Sequence, residues 1–379
     1  METTIEQMMM TRRHSSKLGR SLLVPSVQEL AKSSTLTNSA SVPLRYIRDP
    51  DHQQVLDKPS CNKSPEDEDG DDDDEVPVID MEKLLSPESM PSQLSKLHFA
   101  STHWGFFQLI NHRVSSSILE KVKTEVEHFF NLPMEEKQKY WQREEEVEGF
   151  GQAFVVSEEQ KLDWADLFFL VTQPPHERKP HLFPKLPLPL RETLEVYSTE
   201  LKNTAMEILV QMAKALKMDE NEMTQVFENG HQSMRMNYYP PCPQPNKVIG
   251  LTPHSDATGL TILLQLNQVQ GLQIKKRGNW VTVKPLPDAF IINIGDIVEI
   301  VTNGAYRSIE HRATVNSEKE RLSIATFYAP SYEKEIGPAE SLITEENPPH
   351  FKRILVEDFF KGLFSRELNR KSYLDSLRL

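Results

Sequence analysis

The sequence predicts a mixed α+β protein in which a helix-rich N-terminal half flanks an all-β core of the jelly-roll or sandwich class. Two textures in the sequence predict it. Apolar residues recur at helical spacing in two long segments before residue 228, whereas from Met234 onward the chain breaks into short β-prone runs separated by Gly, Pro, Asn and Asp. Ile118, Val122, Val126, Phe129 and Phe130 mark the first helix, over about Ser116–Asn131, and Pro133 suits the first turn of another. Leu194, Tyr197, Leu201, Ala205, Ile208, Leu209, Met212 and Leu216 line one face of the second. The N-terminal region reads as helical with one interruption, Gly105-Phe106-Phe107-Gln108-Leu109-Ile110, a short aromatic and branched run that fits a buried strand. The strands of the core are expected at Gly250–Thr252, Leu260–Leu266, Trp280–Val283, Phe290–Ile294 and Arg321–Phe327, and many short strands at this spacing suit a jelly-roll. From Phe351 helical spacing returns with Leu355, Phe359, Leu363 and Leu374, a tail expected to pack back on the core.

These textures divide the chain into an irregular arm (1–75), a helix-rich region (76–228), the β core (229–332) and a C-terminal helical extension (333–379). Within the arm, Ser26-Val27-Gln28-Glu29 has the form of a capping box that starts one short helix. The arm ends in Glu66–Glu75, and removing the nine acidic residues of this run from the formal charge of −13 leaves −4. Such a run repels itself and has no apolar surface to bury, so it reads as a solvated linker. The remainder is not basic enough for a nucleic-acid partner. No long apolar stretch suggests a membrane span, and the N-terminus lacks the apolar block of a secretory signal. Two cysteines, Cys61 and Cys242, are too few and too far apart for a disulfide framework. A protein of the reducing cytoplasm is expected.

The chemistry gathers in the β core. In Thr252-Pro253-His254-Ser255-Asp256, an imidazole and a carboxylate two residues apart project to one side of an extended chain. With His311 from another strand they would make the two-His, one-carboxylate set that iron(II) favours, because it leaves the opposite positions open. A bare His-x-Asp pair is more often a surface or structural pair. A second motif changes that balance. Ten residues past His311, Arg321 and Ser323 share a strand face, and a guanidinium with a hydroxyl beside it can grip a carboxylate by three hydrogen bonds. Such a grip would anchor a dicarboxylate whose other end chelates the metal. Upstream, Asn237 and Tyr239 share a face just before Pro240-Pro241-Cys242-Pro243. His103 and His112 have no carboxylate at ligand spacing and read as structural.

These segments, with Trp104–His112 and Asn293-Ile294-Gly295-Asp296, make the chain resemble the plant 2-oxoglutarate- and Fe(II)-dependent dioxygenases, most of all the branch that includes codeine O-demethylase and related alkaloid-, flavonoid- and hormone-modifying enzymes. The likeness runs from about Val76 to the C-terminus. It implies a distorted double-stranded β-helix, iron held by His254, Asp256 and His311, and the distal carboxylate of 2-oxoglutarate held by Arg321 and Ser323 with help from Tyr239 and Asn237. It further implies O2 as oxidant, ascorbate as an accessory reductant, and hydroxylation or O-demethylation of a small aromatic or polycyclic metabolite. One departure stands out: Arg113 follows Asn111-His112 where the family usually has Gly, and if that position needs positive φ the substitution costs on the order of 1 kcal/mol and calls for a local loop change.

On the substrate side, alternation along Arg321–Phe327 puts Phe327 on the same face as Arg321, and Arg235 and Phe154 join it as candidate pocket residues. Two rivals stay open at this stage: an oxidase of the same fold that does not use 2-oxoglutarate, and a catalytically silent protein that binds a small ligand in the same pocket. The sequence leaves the substrate and the oligomeric state undetermined.

Overall fold

The computed structural model describes residues 21–32, 42–48, 75–143, 146–367 and 371–379. The acidic run as far as Asp74, and Cys61, lie outside them. Among the described residues, seven α-helices of six residues or more surround the β core, α1 Val27–Lys32, α2 Met90–Phe99, α3 Ser116–Asn131, α4 Leu188–Leu216, α5 Glu220–Phe227, α6 Asp296–Val301 and α7 Val356–Phe364, with shorter helices at Met81–Leu85, Met134–Lys137 and Ser372–Asp375. Ser115 caps α3 by accepting a hydrogen bond from Ile118, and the helix buries Leu119, Val122, Val126, Phe129 and Phe130. Helix α4 begins with Pro189 in its first turn and ends where Lys217 turns left-handed at φ 57°.

The major sheet has eight strands in the order β1-β2-β10-β7-β12-β5-β4-β3, which span Val78–Asp80, Phe106–Ile110, Phe290–Ile294, Leu260–Gln265, Arg321–Ala329, His231–Tyr239, Asp166–Gln173 and Gly149–Gly151. The minor sheet has the order β6-β11-β8-β9: Leu251–His254, His311–Ala313, Leu272–Lys276 and Asn279–Thr282. Strand β8 pairs antiparallel with both neighbours, with β11 through Leu272, Gln273 and Ile274 and with β9 through Gln273 to Lys276. A two-stranded ribbon, β13 Glu335–Ile336 and β14 Ile354–Leu355, precedes α7.

Alternation along β12 sorts the two faces of the major sheet. Leu322 and Ile324 enter the large apolar core shared with α3 and α4, whereas Arg321, Ser323, Ala325 and Phe327 face the lumen between the two sheets. Helix α4 packs against α2, α3 and α5 and against β4 and β7, so it braces the sheet from the side away from the lumen.

The sequence reading needs one correction here. The N-terminal region contains not one strand but four, β1 to β4, and β4 is the longest of them. Leu167-Phe168-Phe169-Leu170-Val171 is apolar without interruption because Phe168 and Leu170 join the helix-side core while Phe169 and Val171 line the lumen side. A strand covered on both faces carries no period-two signal.

At the departure noted above, Arg113 itself adopts φ 68° and Asn111 φ 51°. The turn keeps the left-handed geometry that Gly would hold at less cost. His112 sits beside it as a structural residue, with Val114 N–H donating to Nδ1 and Nε2–H donating to Asp288 O.

The described parts of the arm are bound to the body. Val27, Val42 and Tyr46 form a second apolar core with Val155, Leu162, Trp164, Cys242 and Val248. Helix α1 receives its cap from across the chain: Asp166 on β4 accepts from Val27 N at 2.8 Å, Gln28 N at 3.0 Å and Ser26 Oγ at 2.6 Å. The buried Lys137 ammonium donates to Gln28 Oε1 and to Phe130 O beneath the same turn.

Candidate metal and cosubstrate site

Strand β6 delivers His254, the loop after it Asp256, and β11 sets His311 directly opposite His254. One donor atom from each lies within 4.8 Å of the others, the only such cluster among the described residues. Nε2 of His254 and of His311 stand 3.5 and 3.7 Å from Asp256 Oδ1.

The surroundings fix which atoms are free. Each imidazole donates Nδ1–H to a backbone carbonyl, His254 to Thr252 at 2.8 Å and His311 to Ile309 at 3.2 Å, which leaves both Nε2 lone pairs turned to the centre. Asp256 Oδ2 accepts from Thr261 Oγ1 at 2.6 Å and Asn293 Nδ2 at 2.7 Å, which leaves Oδ1. Burial pushes His311 down to about 4, with neighbouring His254 adding to the effect against the pull of Asp256, so the ring is neutral and basic toward a metal. Burial works to raise the Asp256 carboxyl, but His311, His254 and the Thr261 hydrogen bond together hold it below the usual carboxylate range. Two imidazoles that each turn a free Nε2 to the centre, and one carboxylate whose other oxygen is occupied, are a donor set that fits an iron(II) ion with open positions.

Several supports were not legible from the sequence. Asp163 accepts from Thr252 Oγ1 at 2.6 Å and Thr252 N at 3.2 Å, and Arg48 of the arm donates to Asp163 Oδ1 at 2.6 Å. The carbonyl that orients His254 is thus held by a chain that starts in the arm. Gly295 stands where a Cβ would come within 2.0 Å of Thr258 O, and its neighbour Asp296 donates its N–H to Asp256 O at 2.7 Å. Asn293-Ile294-Gly295-Asp296 therefore works as the backing of the Asp256 loop.

Deeper in the lumen lies Arg321, 2% exposed. Register sets it opposite Tyr239, and Ser323 opposite both Asn237 and Gln265. Its Nη1 donates to Ser323 Oγ at 3.5 Å and its Nη2 to Gln265 Oε1 at 3.3 Å, while Nε has no partner and no carboxylate pairs with it among the described residues. The guanidinium lies 5.2 Å from the Tyr239 ring centroid, and Asn237 Oδ1 is buried without a partner. One cavity touches Arg321, Ser323, Tyr239 and Asn237 together with the three side chains of the metal cluster. A buried cation without a counter-charge fits a carboxylate that arrives from outside.

A second cavity, of about 130 Å³, shares His254, Asp256, Arg235 and Phe327 with the first and leads outward. The three pocket residues expected from the sequence, Phe327, Arg235 and Phe154, all line it. Phe154 is held at φ 61°, a costly conformation for a bulky residue, and stacks on Phe364 of α7 at 5.3 Å. Phe169, Glu148, Glu177, His231 and Tyr332, none of them marked by any motif, complete the walls with Phe360 and Leu363.

The fold and this site define a metal-dependent oxygenase whose cosubstrate is a dicarboxylate. The chain belongs to the 2OG-Fe(II) oxygenase superfamily, whose description matches residues 230–330, while residues 76–186 match the non-haem dioxygenase in morphine synthesis N-terminal region. It is 56% identical to oxoglutarate-dependent flavonoid 7-O-demethylase 1 of Ocimum basilicum, over 96% of this chain and 94% of that one. It is 52% identical to codeine O-demethylase of Papaver somniferum, over 96% of this chain and 98% of that one. The crystal structure of JOX2 in complex with 2OG, Fe and JA superposes with a TM-score of 0.80 at 34% identity and covers 94% of this chain and 98% of its own. Among the described residues no helix is long and apolar enough to cross a membrane.

Proposed function

We propose that His254, Asp256 and His311 hold iron(II), that Arg321 and Ser323 hold the distal carboxylate of 2-oxoglutarate with Tyr239 and Asn237 beside it, and that the outer cavity takes an aromatic or polycyclic metabolite. The observation that carries this reading is the buried Arg321 guanidinium, without a carboxylate partner, in the same lumen as the three donors. When bound, iron supplies O2 activation coupled to decarboxylation of 2-oxoglutarate to succinate and CO2. The chain's own residues bind, orient and exclude water. Arg321 and Ser323 would fix one end of the cosubstrate so that its oxo-acid end reaches toward the cluster of His254, Asp256 and His311. Phe327, Phe154 and Phe169 offer flat apolar walls to rings, and Arg235 offers N–H donors to an oxygen of the substrate near the reacting carbon.

Hydroxylation of a methoxy carbon would give a hemiacetal that releases formaldehyde and leaves a hydroxyl. The O-demethylases among the relatives support this outcome, and simple hydroxylation at another carbon uses the same site. Ascorbate is the expected accessory reductant, and a reducing, cytoplasmic setting accords with the buried free thiol of Cys242.

The test is direct. His254→Ala, Asp256→Ala and His311→Ala should each lose bound iron and all 2-oxoglutarate-dependent succinate formation, whereas the wild type, given a plant metabolite extract, should yield products with one oxygen gained or one CH2 lost. Full iron stoichiometry in any of the three variants would refute the ligand assignment.

A further inference from the structure

The loop that carries Asp256 hangs on the first turn of helix α6. Asp296 N donates to Asp256 O at 2.7 Å, Ile297 N to Thr258 O at 3.1 Å, and the preceding Gly295 N to Gly259 O at 2.8 Å. No side chain caps this helix, so the N–H groups left over at its start are taken up by the loop. Six residues are too few for a helix to keep its shape alone, and the placement of α6 must come from its contacts.

The contact that fixes its middle is made by Glu299, 1% exposed. Its Oε2 accepts from Ser308 N at 2.8 Å and from Lys371 Nζ at 2.6 Å, and its Oε1 accepts from Arg378 Nη2 at 2.7 Å. Lys371 Nζ also donates to Ser308 O at 2.6 Å, so both backbone groups of Ser308 are held at one point. Ser308 lies in a run, 307–310, that belongs to no helix or strand and leads directly into His311. The next carbonyl along, that of Ile309, is the one that orients the His311 imidazole. Asp296 and Glu299 are both buried, and the only ion pairs of either among the described residues are those that Glu299 makes with Lys371 and Arg378. The segment that supplies these two cations is itself fixed, by Leu374 in the main core, by Lys352 N donating to Leu377 O at 2.9 Å and by Leu379 N donating to His350 O at 2.9 Å.

We propose that Lys371 and Arg378 are positioning residues for the metal site: through Glu299 they clasp together the helix from which the Asp256 loop hangs and the run that leads into His311. The inference rests on the functional reading above and places a determinant of the site outside the lumen, since neither cation lines the two lumen cavities. Without them the Glu299 carboxylate would be buried with Ser308 N as its remaining donor, and movement of α6 or of 307–310 would relieve the uncompensated charge. Either movement displaces a ligand, Asp256 in the first case and His311 in the second.

The experiment uses the full chain and measures competition with a chelator for Fe(II) under argon, in the wild type, Lys371→Met/Arg378→Met and Leu194→Ala. Leu194 is buried in α4, on the side of the sheet away from the lumen, so its truncation lowers the melting temperature without reaching the cluster. At a temperature where all three proteins are folded, the double variant should bind iron about tenfold or more weakly than Leu194→Ala. With Co(II) in place of iron, the visible absorption, which reports donor geometry, should change in the double variant and match the wild type in Leu194→Ala. If the double variant does not fold, Lys371→Met, which keeps the Arg378 charge on Glu299, is read in its place. A clasp variant that binds iron as tightly as Leu194→Ala, or whose Co(II) spectrum superimposes on that of the wild type, overturns the proposal. Failure of the wild type to bind iron, or full iron in Asp256→Ala, would instead overturn the functional reading.

Discussion

Replacing Arg321 by Met keeps most of the side chain's length and removes its charge. In the structure the guanidinium is 2% exposed, its two protein hydrogen bonds are long and go to neutral oxygens, and Nε has no partner. The unliganded protein therefore gains little from this charge and bears the cost of burying it. Replacement of a buried charge by a well-packed apolar residue is commonly neutral or stabilising by about 1–4 kcal/mol. The melting temperature of Arg321→Met without 2-oxoglutarate should be equal to or above that of the wild type. Cosubstrate binding should collapse. Two charge-assisted hydrogen bonds at about 1.5–3 kcal/mol each amount to roughly 3–6 kcal/mol, or at least a hundredfold in affinity. Arg321→Lys, which keeps the charge and loses the planar fork, should fall between, at roughly tenfold. Calorimetric titration of 2-oxoglutarate into the Fe(II) protein under argon, with melting curves in its presence and absence, measures both quantities. An Arg321→Met protein that melts several degrees lower yet binds 2-oxoglutarate normally would refute the reasoning, because it would make Arg321 a structural residue with partners inside the fold.

Phe327 is half-buried and lines both cavities, so Phe327→Ala should lose less than the roughly 3–5 kcal/mol of a fully buried Phe and should raise the ratio of succinate to oxidised product; an unchanged ratio in a strongly destabilised variant would make it a core residue. Asp163→Ala should weaken iron binding by about 10–100-fold, as measured by competition with a chelator, because the Thr252 carbonyl that orients His254 loses its support; unaltered iron affinity would remove the arm from the metal site's function. Burial raises the Glu148 carboxyl to about 7 in the fold from about 4.5 unfolded, so the native state holds the extra proton and stability falls as pH climbs through that window, by on the order of 3 kcal/mol. Glu148→Gln, which has no proton to lose, should match the wild type near pH 5 and melt higher near pH 8; parallel melting curves across that range would contradict the shift.

Those parts of the fold and site that advertise themselves by period or by chemical type were readable in the sequence. Helix α3 shows a single apolar stripe and a Ser cap, and the cluster of His254, Asp256, His311, Arg321 and Ser323 combines residue types that have few reasons to alternate on adjacent strands. Strand β4 was missed because burial on both faces erases alternation. Gln265 and Thr261 were missed, and Asn293 was marked only as part of a motif without its role, for another reason: each is an ordinary polar residue whose role depends on register between strands distant in sequence. Glu148 and Glu177 share that property. Only β3, the turn after β4 and the lumen face of β5, brought together in space, give them a common cavity with the metal cluster.

The cap that Asp166 places on α1 bears on the order of assembly. A six-residue helix is too short to persist in water by itself, and its first turn has no acceptor until β4 has paired with β5 in the sheet. The arm thus settles after the body and reports that the body is complete. Chains trimmed past Lys32 would keep Asp166 in place but lose all three of its arm donors, Ser26 Oγ, Val27 N and Gln28 N, so a buried carboxylate would face an empty apolar groove lined by Val155, Leu162 and Trp164. Such trimmed proteins would be expected to expose that groove and to associate through it, so a second copy's apolar segment could take the place α1 has left.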